Sequence, residues 1–171
     1  MAGGSNAGFM LGMLSHVELI DLKISCKLDP LPISLSHLNG INGIVCGGWS
    51  YTSPEASYTY NSKCWIINPN GTWTDFNRMS TGKSDFTMNI VGDEIFSIGG
   101  ETLYSGTYGT AIVEKVSAKV RGNWSKLKDA PIKIKRHCAV NVNSYEIFVI
   151  GGTQNQNLPY YLKNTQVRND M

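Results

Sequence analysis

The chain has 171 residues, enough for one domain or a little more. Hydrophobic residues make up 42% and charged residues only 16%, which supplies a packed core and excludes a disordered, strongly charged chain. The net charge of +2 is too small to mark a nucleic-acid binder, and 18 glycines among abundant Thr, Ser, Asn, Ile and Val point to an all-β protein.

The chain opens on Gly3-Gly4. Its first apolar stretch, Ala7 to Leu14, is eight residues long, whereas a spanning helix needs about 20, so no membrane span is predicted. No basic residue precedes Lys23, so no signal-peptide n-region is seen. A β-branched run at Val17–Asp21 is followed by Cys26-Lys27-Leu28-Asp29-Pro30-Leu31-Pro32, and then by Gly43-Ile44-Val45-Cys46, which ends in Gly47-Gly48. After a polar, Tyr-containing segment, Trp49–Asn61, comes the run Cys64-Trp65-Ile66-Ile67, then GTWTDF with Trp73. The same order recurs. Phe86–Val91, a Gly92-Asp93 turn and EIFSI end in Gly99-Gly100. The segment Glu101–Thr110, the run Ala111–Lys115 and GNWSKL with Trp124 follow. Cys138–Val142 and EIFVI then lead to Gly151-Gly152 and the segment Thr153–Lys163.

The Gly-Gly pairs are 44, 52 and 52 residues apart, and Trp73 and Trp124 are 51 apart. One Gly pair would mark any turn or bulge. Three in phase with apolar runs and two in-phase Trp residues define a repeat. Each repeat reads as four short strands: a before the turn, b ending in Gly-Gly, c the β-branched run, d carrying the Trp. Gly, Asp and Asn at the a–b turns tolerate the positive φ of tight hairpins. No window shows a helical period. A four-stranded meander of about 50 residues is the arithmetic of a propeller blade. The expected fold is thus all-β, about three and a half four-stranded blades of an incomplete β-propeller: a degenerate repeat at 1–46, repeats at 47–98 and 99–150, and the start of another at 151–171. Both Trp residues are expected to be largely buried between blades.

These Gly-Gly and Trp markers resemble the kelch repeat over nearly the whole chain. The resemblance is weaker in the first repeat, which has no Trp. Propellers have four to eight blades, so the chain is a fragment of a longer protein, or closes a ring by self-association, or stands as an open arc. The resemblance implies a non-catalytic module that binds a protein partner. Its alternative is a piece of a kelch-like propeller enzyme, a copper oxidase or a sugar-acting one, with catalytic residues in other blades. No BTB-like or F-box segment precedes the repeats, so a ubiquitin-ligase adaptor role does not carry over.

The residues hold no catalytic motif. His16, His37 and His137 are far apart in the repeat frame and read as loop or surface residues; HExxH, CxxC, GxSxG and Walker-A patterns are absent, and no metal or cofactor is implied. Cys46 on strand b and Cys64 on strand c of one blade either form a disulfide or pack as small buried thiols. A bridge would place the chain in an oxidising compartment. Two sequons, Asn70-Gly71-Thr72 and Asn123-Trp124-Ser125, agree with that lean toward a secreted parent; a cytoplasmic one is the alternative.

Seven of eight Tyr fall in the b–c segments: Tyr51, Tyr58, Tyr60, Tyr104, Tyr108, Tyr160 and Tyr161. Tyr among Ser, Gly and Asn is the composition of adaptable recognition surfaces. Tyr51, Tyr104, Tyr160 and Tyr161 are the candidate partner contacts, while Tyr60 and Tyr108 equally suit inter-blade packing. Eight basic residues between Lys115 and Arg136, with Asp129 the only acid among them, form either a solvated strand edge or a site for an acidic partner. Aromatic interleaving there is limited to Trp124, so nucleic acid is not expected.

Overall fold

A computed structural model describes residues 18–20, 25–27, 29–51, 58–105, 108–154 and 165–168. Among the described residues every regular element is a strand. β1 (Glu18–Ile20) and β2 (Ser25–Lys27) form an antiparallel hairpin. β3 (Asn39–Ile41) and β4 (Ile44–Cys46) are followed by a second hairpin, β5 (Trp49–Tyr51) with β6 (Tyr58–Tyr60), inside a segment expected to be loop. β7 (Cys64–Ile67) and β8 (Trp73–Phe76) then complete the first four-stranded sheet, β3-β4-β7-β8. β9 (Thr87–Val91), β10 (Glu94–Ile98), β11 (Val113–Ser117) and β12 (Ser125–Lys126) make the second. β13 (Cys138–Asn141), β14 (Glu146–Ile150) and β15 (Thr165–Arg168) make a three-stranded third.

Every pairing is antiparallel, and within each larger sheet the strands follow one another in chain order, with only the β5–β6 hairpin inserted between β4 and β7, the meander of a propeller blade. The turns explain the tight order. Asn42 and Gly43 both have positive φ, 48° and 75°, as a two-residue hairpin turn matched to strand twist requires.

Successive side chains of a strand point to opposite faces. The two four-stranded sheets bury both, which is why strands such as EIFSI are nearly continuously apolar, whereas the third sheet leaves Cys138, Val140 and Ile150 exposed on one face. Val45 and Trp65 pack one way, onto Leu31 and Leu35. Ile44, Cys46 and Cys64 pack the other way, onto Phe86, Ile95 and Val116 of the second sheet. Phe96, Ile98 and Val113 face Ile147 and Val149 of the third.

The two Trp residues bind corresponding sites. Trp73 Nε1 donates to Asp29 O at 2.7 Å and Trp124 Nε1 to Asn77 O at 2.9 Å, in each case a carbonyl of the segment leading into the Trp's own sheet. Trp124 is 6% exposed within the large first–second interface. Trp73 corrects the expectation: it is half-buried, because it rests at the margin of the smaller cluster around Leu31.

The Gly pairs are inter-sheet joints. Gly48 N donates to Lys83 O (2.9 Å) and Gly100 N to Ile134 O (2.8 Å), each across to the lead-in of the next sheet. Gly100 has φ 102°, and a Cβ there would sit 2.6 Å from Ser84 O and 2.8 Å from Phe86 Cβ. Gly92, in the a–b turn, also has positive φ (59°), but a Cβ would meet nothing within 4 Å. Gly100→Ala should therefore lower stability by more than about 2 kcal/mol, adding a backbone clash to the left-handed penalty, and Gly92→Ala by only about 1 kcal/mol. Urea unfolding of both variants checks this; equal losses would show that the close approach at Gly100 is not restrictive.

Candidate functional site

The b–c and d–a connections emerge at the same end of the sheets and enclose a groove of about 690 Å³. Tyr60 of β6, Ser80–Gly82 after β8, the turn Thr102–Ser105 after β10, and Lys133 line it. The 102–105 turn satisfies its own polar groups. Thr102 N donates to Ser105 Oγ (2.9 Å), Ser105 N to Thr102 Oγ1 (3.1 Å), and Ser105 Oγ to Thr102 O (3.0 Å). At its tip stand Leu103 and Tyr104, the latter 92% exposed. Tyr108, paired back to Ser105 O through its amide, is also exposed. Gly109 N bonds Gln154 O at 3.0 Å, tying this segment to the next b–c segment.

Beneath the groove lie two buried ion pairs. Lys83 Nζ is 3.0 Å from Glu114 Oε2, an ion pair with both side chains fully buried. Ser80 secures the other oxygen: its amide donates to Glu114 Oε1 at 2.8 Å and its hydroxyl donates to the same atom. Burial pulls the Lys83 pKa below the ordinary lysine value, and the Glu114 charge opposes the shift. Lys135 Nζ, also fully buried, donates to Glu101 Oε2 at 2.7 Å. The hydrogen bonds of the Gly pairs align Lys83 with Ile134, and the β-bridges Ser36–Trp49 and Ser84–Glu101 align it with Leu35. Strand register aligns Glu114 with Trp65 and Ser97 with Val45. Lys83, Ser97 and Glu114 thus occupy in one interface the places that Leu35, Val45 and Trp65 fill in the preceding one.

His37, Asp85 and Arg136 form an axial ladder where the innermost strands begin. All three have positive φ (56°, 53° and 55°). Asp85 N donates to His37 O (3.3 Å), Arg136 N to Asp85 O (2.9 Å), and Arg136 Nε to Asp85 Oδ2 (3.2 Å). His37 also stacks on Trp49, ring centroids 5.6 Å apart.

The candidate residues are distributed as follows. Tyr104 stands at the groove. Tyr51 ends β5, its backbone paired with that of Tyr58. Tyr160 and Tyr161 lie outside the described residues. Cys46 and Cys64 are directly opposed across β4 and β7 and form a disulfide, which closes the segment that holds the β5–β6 hairpin. Cys138 is an exposed free thiol. His137 corrects the surface expectation for histidines: it is 7% exposed, at the place of Phe86 in the preceding sheet, with Nε2 2.9 Å from Thr87 Oγ1. Burial, aided by the Lys83 charge, pushes its pKa down to about 4. The basic run is largely paired: Lys115 with Glu94, Lys119 with Asp93, Lys126 with Asp129, Arg136 with Asp85. Lys135 is no edge residue, since Glu101 holds it inside. Among the described residues, no three His, Cys, Asp or Glu side chains gather as a metal site, and no helix is long and apolar enough to cross a membrane.

No family model and no curated protein matches the chain. Among solved structures, that titled "Structure of YjhT", a propeller protein, matches with a TM-score of 0.68 at 13% identity. The match covers 92% of this chain and 66% of that one. Likeness at this identity concerns the fold. The chain is an all-β propeller-type structure whose described sheets do not close into a ring.

Two predictions follow from the buried charges. Lys83→Met should destabilise by about 3–5 kcal/mol by stranding Glu114, whereas Lys83→Leu combined with Glu114→Leu should recover most of that loss, as the apolar neighbour interface indicates. A double variant no more stable than the single one, measured by urea unfolding, would refute the equivalence of the interfaces. The depressed His137 pKa makes stability depend on pH in the same direction as a salt-bridged carboxylate does. The unfolded chain takes up a proton below its ordinary 6.5, and the folded chain resists until about 4, so stability should fall across that window as pH drops, by up to about 3 kcal/mol. His137→Phe should flatten the curve of melting temperature against pH there; an unchanged curve would contradict the assignment.

Proposed function

We propose that this chain is a non-catalytic protein-binding module of the kelch type, which presents its b–c segments to a protein partner. The observation that carries the reading is Tyr104, almost wholly exposed at the tip of a turn whose own hydrogen bonds hold it in place. An aromatic group displayed this way offers contact area and a hydroxyl at little entropic cost. Leu103 beside it and the hydroxyl-rich groove floor extend the surface. The Gly-Gly and Trp repeat supports the kelch assignment. The disulfide supports an oxidising compartment and fastens the ends of the 47–63 segment; closing a loop of this length contributes about 3 kcal/mol in a chain-entropy account.

A photo-crosslinking residue at position 103 should capture one protein species in the native milieu. The same residue at Val120, exposed in a c–d turn at the other end of the sheets, should capture none. Tyr104→Ala should reduce capture at least tenfold and leave the unfolding midpoint unchanged, as expected for an aromatic anchor worth about 2 kcal/mol. Undiminished capture by that variant, or equal capture from both ends, would overturn the reading.

A further inference from the structure

We propose that Asn70 and Asn123 are acceptor sites for N-linked glycans, placed in corresponding turns of successive sheets at the end away from the groove. Asn70 lies between β7 and β8, and Asn123 between β11 and β12, so both occupy c–d turns. The groove is built from b–c and d–a connections, which leave the strands at the opposite end. Both asparagines are exposed.

The first triplet is arranged for the modification. Thr72 Oγ1 donates to Asn70 Oδ1 at 2.7 Å, and Thr72 N donates to the same oxygen at 3.2 Å. The hydroxyl that completes the motif therefore already holds the amide oxygen, and Nδ2 is the unengaged end of an exposed side chain among the described residues. In the second triplet strand alternation does the sorting. Trp124 is buried between sheets, and Asn123 and Ser125 on either side of it are exposed. Val120, 67% exposed in the same turn, is an apolar side chain that a neighbouring glycan would shield.

The Cys46–Cys64 disulfide belongs to the kind of oxidising compartment in which Asn-X-Ser/Thr modification occurs. The co-reactant is a lipid-linked oligosaccharide diphosphate. A bond forms between Asn Nδ2 and the sugar C1, the C1–O bond to the diphosphate breaks, the lipid diphosphate leaves, and an Nδ2 proton passes to a base of the transferase. Glycans at both turns would shield that end of the sheets and leave the Tyr104 surface clear.

The test uses the whole chain, secreted from eukaryotic cells behind a cleavable signal. Enzymatic deglycosylation in ¹⁸O-water should leave labelled aspartate at both positions by tandem mass spectrometry, with two steps in electrophoretic mobility. Asn70→Gln and Asn123→Gln should each remove one step. Thr72→Ala and Ser125→Ala, which keep the asparagines, should do the same, and Thr72→Ser should retain it. Secreted chain with Cys46 and Cys64 oxidised but with glycan at neither site, or at only one, would overturn the proposal.

Discussion

The two four-stranded sheets bury apolar side chains on both faces, so the structure depends on the contact between neighbouring sheets. That contact is made by backbone as well as by side chains. Gly48 donates to Lys83 and Gly100 to Ile134, in each case to the lead-in of the next sheet. The approach is so close that a Cβ at Gly99 would sit 2.6 Å from Ile134 O of the next lead-in. The axial ladder of His37, Asp85 and Arg136 adds a second line of inter-sheet amide bonds. Neither line depends on side-chain identity at the interface, which leaves the filling free to vary.

The filling does vary. One interface holds Leu35, Val45 and Trp65; the next holds Lys83, Ser97 and Glu114 in the same places. A buried ion pair of this kind adds little net stability over a well-packed apolar set, but losing one partner is severe. Both partners belong to the second sheet, so the pair holds the lead-in to β9 against β11.

A rigid stack separates the two ends of the strands. At one end the b–c segments are long, and each is anchored differently: the first by the Cys46–Cys64 disulfide and the β5–β6 hairpin, the second by the self-bonded 102–105 turn. At the other end the turns are short and carry the two sequons. Variation in the loops costs the stack little, because the residues that join the sheets lie in the Gly pairs, the lead-ins and the strand interiors.

The sequence by itself determined the repeat, the strand order within a sheet and the positions of the Gly pairs and Trp residues. These are local: period-2 burial, turn chemistry and a fixed spacing are all written in contiguous residues. It also marked the Tyr-rich segments, by composition alone. It did not show that Cys46 and Cys64 are directly opposed, because a shift of one residue in register would have parted them. Nor did it show the ion pairs. Lys83 and Lys135 are 52 residues apart, the same spacing as their Gly pairs, yet the structure aligns Lys83 with Ile134 and gives the two lysines different partners. His137 read as a surface residue and lies buried where the neighbouring sheet has Phe86. Glu114 on β11 and Lys83 in the lead-in to β9 meet only when that sheet assembles, and Thr87 and His137 meet only when neighbouring sheets stack, both long-range packing outcomes.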